Sequence, residues 1–209
     1  MTEKASPPVA PVASSVQAPK GNFADLWLGL QVRTLRQAKR LSLKQLADQI
    51  GTSIGMLSQI ERGISSPSIK SLREIAEALA VPVMYFFRGA EHGSREEMGR
   101  IVRAKGRRIL RLPSRGVTKE LVTPDLSGQL ELLLVIIEPG GSSGGEFYTH
   151  KGEEAGYVIS GSMQLHVSDQ SYVLHEGDSF RFESTIPHRF ESASSTEARV
   201  LWVTSPPIF

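Results

Sequence analysis

The stretch EFYTHKGEEAGYVISG, Glu146 to Gly161, sets one imidazole and three carboxylates ahead of a run of strand-forming residues. His150 and Glu154 stand close together there, and a second imidazole, His188, follows in EGDSFRFESTIPHRFES. Two imidazoles and one carboxylate make a facial triad that suits Fe(II) and leaves positions open for substrate and oxygen. The chain has no cysteine, so disulfides and thiolate zinc sites are excluded and any metal is held by nitrogen and oxygen. The same side chains also suit a pocket that works without metal, or a polar turn leading into a strand. All three readings remain open on these residues alone.

The elements that must position them are strands. From about residue 107 the apolar period becomes two: RRILRLP, LELLLVIIEP, AGYVISG, SMQLHVS, QSYVLHEGD, SFRFES, HRFES and ARVLWVT are separated by Gly, Asp, Pro and Ser turns. Regular short strands of this kind predict a sandwich or barrel. Alternation gives Met163, Leu165 and Val167 the inner face and turns His166 outward. His175 falls in a turn and His92 in a linker. Tyr148, Tyr157, Phe180 and Phe182 are divided between pocket lining and core, and Trp202 is assigned to the core. No Ser–His–Asp set, phosphate-cradling glycine loop or Walker lysine is present.

The first half is helical. Leu26, Leu30, Arg33 and Leu35 open a helix that runs to about Ala38. Ser42 caps LKQLADQI, which Gly51 ends; Ser53 begins IGMLSQIER, which Gly63 closes. A fourth helix starts near Ser68, and VPVMYFF supplies a short fifth. Ala47 is small where two helices would cross, and Ile50, Leu57 and Ile60 bury the second against the first. Helix, glycine turn and helix at this spacing form a helix-turn-helix.

Charge divides the same way. Residues 1–112 carry 18 Lys/Arg against 9 Asp/Glu, and residues 113–209 carry 6 against 13. A basic half and an acidic half predict two domains with different partners, nucleic acid being the partner of the first. Residues 1–22, rich in Pro, Ala, Ser and Val, read as a disordered tail. The helical domain is expected over 23–88, a linker over 89–106 and the barrel over 107–209. No window is long and apolar enough to span a bilayer, and no apolar leader opens the chain, so a cytoplasmic protein is expected.

On LSLKQLA, SQIERG, SPSIKSLREIAEAL and VPVMYFF, the stretch from Asp25 to Phe87 resembles the lambda-repressor-like (Xre) family. The resemblance implies a five-helix domain whose helix from Ser53 to Arg62 lies in the DNA major groove. Ser53, Ile54, Gly55, Ser58 and Gln59 would then face base edges. Gln59 can pair bidentately with adenine, and Ile54 or Met56 can touch a thymine methyl, whereas Gly55 has no side chain to read with. Ser42 and Lys44 are placed for phosphate contact. Arg36 and Glu61 match the family's internal pair. Arg62, Lys70 and Arg73 divide between phosphate contact and plain solvation. Such domains dock as homodimers on half-sites about 34 Å apart.

The acidic half resembles the cupins. Gly144, His150, Glu154 and Gly161 keep the spacing of the first cupin motif, with Gly152 in place of its second histidine. Gly177, Asp178, Pro187 and His188 keep the second, with Ser192 in place of its terminal Asn. The implied fold class is α+β multidomain, a five-helix lambda-repressor-like domain followed by an all-β cupin (double-stranded β-helix) barrel. The wording HKGEEAGYV is similar to that of sensor cupins in bacterial regulators. There His150, Glu153, Glu154, Tyr157 and His188 would bind a small effector, with no cofactor required. His150, Glu154 and His188 could add a divalent Fe or Zn. The closing TSPPIF resembles regulators of polyamine and amino-acid catabolism, which favours an amine, amino acid or short peptide. The expected function is thus an effector-controlled repressor binding double-stranded operator DNA. The competing reading is a mononuclear iron cupin oxygenase or epoxidase with an accessory helical domain.

Overall fold

The computed structural model describes residues 23–87, 97, 99–126 and 128–208; the tail 1–22 and His92 lie outside the described residues. Helix α1 spans Phe23–Ala38, and three serines start the next three helices. The side chains of Ser42, Ser53 and Ser68 accept the backbone N–H of Gln45, Met56 and Ser71, which opens α2 (Leu43–Gln49), α3 (Ile54–Glu61) and α4 (Ile69–Ala78). Each cap satisfies a donor that the first helical turn would leave bare. Gly51 turns α2 into α3 at φ +65°, a backbone that glycine adopts without strain.

One expectation needs correction, and the buried face of α1 has a reason of its own. VPVMYFF is not a fifth α-helix but a single 3-10 turn, Val83–Phe86; the preceding proline and so short a run allow no more. The buried face of α1 is Ala24, Asp25, Leu28, Gly29 and Val32, and Leu30 is 56% exposed. The reason is at Gly29, where an added Cβ would lie 2.2 Å from the carbonyl oxygen of Ile60. α1 turns its smallest side chains toward α3 because the two backbones touch.

The second half is antiparallel throughout. Strands β1 (Ile109–Leu112), β2 (Val117–Leu121), β3 (Glu131–Ile137), β4 (Glu153–Ser160), β5 (Ser162–Val167), β6 (Gln170–His175), β7 (Ser179–Glu183), β8 (His188–Ser192) and β9 (Ala198–Ser205) form two sheets. One runs β1-β2-β3-β9-β4-β7 and the other β6-β5-β8. β2, VTKEL, is not recognised in the sequence because Lys119 and Glu120 interrupt the apolar pattern. Leu133, Val135, Ile137, Val158, Leu165, Phe190, Val200 and Trp202 fill the space between the sheets. No helix of the described residues is long and apolar enough to cross a membrane.

Candidate functional site

Two sites can be built, one on α3 and one inside the barrel. On α3, Leu57 and Ile60 are buried while Ile54, Gly55, Met56 and Gln59 face solvent, with Ser58 half-buried. Ile54 and Met56 are 45% and 47% exposed. The hydroxyl of Ser53 is engaged in its cap. Arg62 is exposed, its Nε 3.3 Å from the Ser58 carbonyl. Ser42 keeps a capping box with Gln45, and Lys44 pairs with Asp48 at 2.6 Å on the exposed face of α2. Beneath them Arg36 grips Glu61 with two nitrogens, at 2.6 and 2.9 Å, and ties α1 to the end of α3.

In the barrel, His150, Glu154 and His188 come together, their ligand atoms all within 4.8 Å of one another. Nδ1 of His150 donates to the Lys151 carbonyl at 3.0 Å, and its Nε2 meets Glu154 Oε1 at 2.6 Å. Trp202 Nε1 donates to the other carboxylate oxygen at 3.1 Å. Nδ1 of His188 donates to the Ile186 carbonyl at 2.8 Å, which leaves Nε2 as a lone pair. That atom is buried, has no hydrogen-bond partner among the described residues, and lies 3.6 Å from Glu154 Oε2. Burial lowers the His188 pKa, so the ring is held neutral. Burial opposes charge on Glu154, but the His150 hydrogen bond, with His188 and Lys119 nearby, outweighs it and keeps the carboxyl below its ordinary value. A neutral imidazole with a bare lone pair, an ionised carboxylate and a second imidazole fit a divalent metal.

Alternation decides what else faces this space. Glu154 and Val158 point inward on β4, so Glu153 and Tyr157, expected in the pocket, point out; Tyr157 is 48% exposed and Glu153 pairs with Arg181. His166 is corrected in the opposite sense. It lies on the outer face as expected but is buried there, held by Glu191 and Ser171 under the edge of Phe147. Tyr148 and Phe182 flank the His188 ring, at centroid distances of 4.3 and 4.9 Å.

Two charged residues missed in the sequence also face inward. Lys119 on β2 and Glu131 on β3 are both buried. Burial, partly offset by Glu131 and Glu154, lowers the Lys119 pKa to about 8. Their signal was period two: Lys119 shares a face with Val117 and Leu121, and Glu131 with Leu133, Val135 and Ile137.

The segment leading into His150 carries α4. Ile69 N–H donates to the Ser143 carbonyl at 2.9 Å, Lys70 meets Glu146 at 2.6 Å, and Arg73 reaches the Thr149 carbonyl at 3.5 Å. Lys70 and Arg73, which the sequence left between phosphate and solvent, therefore face the barrel. Gly144 holds φ +125°, and a Cβ there would lie 2.7 Å from the Ser68 Cβ.

Comparison with known proteins follows the same division. The helix-turn-helix family model matches residues 32–86 and the cupin-domain model residues 133–204. The HTH-type transcriptional regulator PuuR of Escherichia coli is 27% identical over 182 residues, covering 87% of this chain and 96% of that protein. An uncharacterized transcriptional regulator in the ATPase CF(0) region of Rhodospirillum rubrum is 40% identical over 72 residues, covering 34% of this chain and 67% of that protein. The crystal structure of an HTH_3 family transcriptional regulator from Vibrio cholerae aligns with a TM-score of 0.58 at 23% identity, covering 88% of this chain and 98% of that one.

Proposed function

Because the chain belongs to the helix-turn-helix transcriptional regulators and carries a C-terminal cupin domain, we propose that it is a repressor released or engaged by a small ammonium-bearing metabolite held in the barrel. The chain binds DNA as a regulator and is not an enzyme. α3 enters the major groove with Ser53, Ile54, Gly55, Ser58 and Gln59 toward the bases. Ser42, Lys44 and Arg62 meet the flanking phosphates, and a homodimer presents two such helices.

The observation that carries effector control is the path of residues 143–150. α4, which follows the recognition helix, is docked on Ser143, Glu146 and Thr149, and the next residue is His150 of the pocket. A ligand that moves His150 or Tyr148 therefore pulls on α4. Regulation requires only that the ligand bind one junction geometry better than the other. Glu154 suits the ligand's ammonium group, while Lys119 and Arg73 suit a carboxylate, so amines, amino acids and short peptides are the class to test.

The bare Nε2 of His188 favours a metal as a second component of this site. His150, Glu154 and His188 would hold a divalent Fe or Zn, whose Lewis acidity would fix a donor atom of the effector.

Melting of the full chain against these compounds tests the reading, with chelator or with added Fe(II) or Zn(II). At about a hundred times its dissociation constant, the effector raises stability by about 2.7 kcal/mol, and His150→Ala abolishes that rise. A compound that shifts the melt but leaves operator affinity unchanged overturns effector control. A shift that survives chelator removes the metal from the scheme.

A further inference from the structure

We infer that Arg115, a residue of the barrel half, is a DNA-phosphate contact that completes the surface of the recognition helix. The inference rests on the DNA-binding reading of α3.

A helix in the major groove, which is about 12 Å wide, has a sugar–phosphate strand on each side. The start of α2, with Ser42 and Lys44, serves one side. Beside α3 itself, that helix and the segment before α4 enclose a groove of about 480 Å³, lined by Ser53, Gly55 and Gln59, by Ser65 and Ser68, and by Arg115. None of the residues lining it is acidic, and Arg115 is its one cation. Among the described residues the Arg115 guanidinium has no ion pair or hydrogen-bond partner. A cation without a partner, at the rim of a groove beside a DNA-reading helix, is complementary to phosphate.

The backbone that presents Arg115 is clamped to the DNA-binding half. It ends a 3-10 turn, Pro113–Arg115, between β1 and β2. The adjoining Ser114 donates its hydroxyl to Asp25 Oδ2 of α1 at 2.8 Å and its N–H to Ser66 Oγ at 3.1 Å, while Ser66 donates to the other oxygen of Asp25. Asp25 and Ser66 are both 2% exposed. On the far side, Ser142 N–H donates to the Arg115 carbonyl at 2.9 Å. A carboxylate is costly to bury, and this one spends both oxygens fixing the turn that carries Arg115 against the segment that leads into α4.

The test is fluorescence anisotropy of the full-length chain with a mixed-sequence 30-base-pair duplex, titrated at several NaCl concentrations. Phosphate contacts do not depend on sequence, so the unidentified operator is not needed. Arg115→Ala should weaken binding about tenfold at low salt and make the log–log salt slope shallower by about 0.9. Arg115→Lys should keep most of the slope, and Arg115→Glu should lose more than alanine does. Arg181→Ala, on the opposite edge strand of the same sheet, should match the wild type. An unchanged slope in Arg115→Ala beside a salt-sensitive wild type overturns the inference and leaves the regulator reading intact. A wild type that binds no duplex at low salt overturns both.

Discussion

Lys119 is a cation buried in the barrel, 6% exposed. Burial holds its pKa at about 8, well below the ordinary 10.5. Below about pH 8 the folded and unfolded chains both hold its proton, so stability does not change with pH there. Between about 8 and 10.5 the unfolded chain holds the more protons, and stability rises with pH by up to about 1.4 kcal/mol per unit. Chemical denaturation from pH 7 to 10.5 should show that rise in the wild type, about 3 kcal/mol in all, and a flatter profile in Lys119→Gln. Parallel profiles would mean that the lysine is solvated. At this scale the sequence was legible where a motif fixes both residue and spacing, as for His150, Glu154 and His188. It was misleading for Glu153 and Tyr157, where adjacency in sequence is the opposite of adjacency on a strand. It was silent on Lys119 and Glu131, whose inward direction depends on register and not on residue type.

At the scale of elements, the helix starts were legible because Ser42, Ser53 and Ser68 act locally, each on a backbone donor three residues away. The face that α1 buries was not, because it is chosen by a contact with α3. Gly29 makes the difference measurable. By helix propensity alone, Gly29→Ala would stabilise α1 by about 1 kcal/mol. The new methyl would instead stand 2.2 Å from the Ile60 carbonyl oxygen and within 2.9 Å of Glu61 backbone, and backbone at a helix crossing cannot give way as a side chain can. Overpacking of this kind costs roughly 1–3 kcal/mol. Urea denaturation should therefore find Gly29→Ala less stable than the wild type, with weaker DNA binding because α3 is pushed off its seat. A more stable variant would mean that α1 and α3 are further apart than described. β2 shows the same limit from the other side, since its pattern breaks at the residue that serves the pocket.

For the whole molecule, the question is what would make two domains answer to one ligand, as proposed. Two of the polar contacts that join them differ in how deeply their charged group is buried. The Lys70–Glu146 bridge is short, but its side chains are 37% and 72% exposed; pairs like this contribute about 0–1 kcal/mol. The Asp25–Ser66–Ser114 network closes on Asp25 and Ser66, both 2% exposed, with Ser114 at the surface; removing one of its donors takes a partner from a buried carboxylate, at a cost of roughly 1–3 kcal/mol. The charge surplus of the two halves, opposite in sign, attracts them at long range but fixes no geometry. Ser114→Ala should therefore loosen the junction where Lys70→Ala does not. In calorimetry of the full chain, the wild type and Lys70→Ala should unfold in one transition, and Ser114→Ala should separate it into two. The variant should still bind effector in the barrel, since Ser114 is no part of that pocket, while its DNA affinity no longer responds. If Ser114→Ala keeps a single transition and a full response, the coupling runs through α4 and residues 143–150 alone. The Asp25–Ser66–Ser114 clamp would then serve only to hold Arg115 in place.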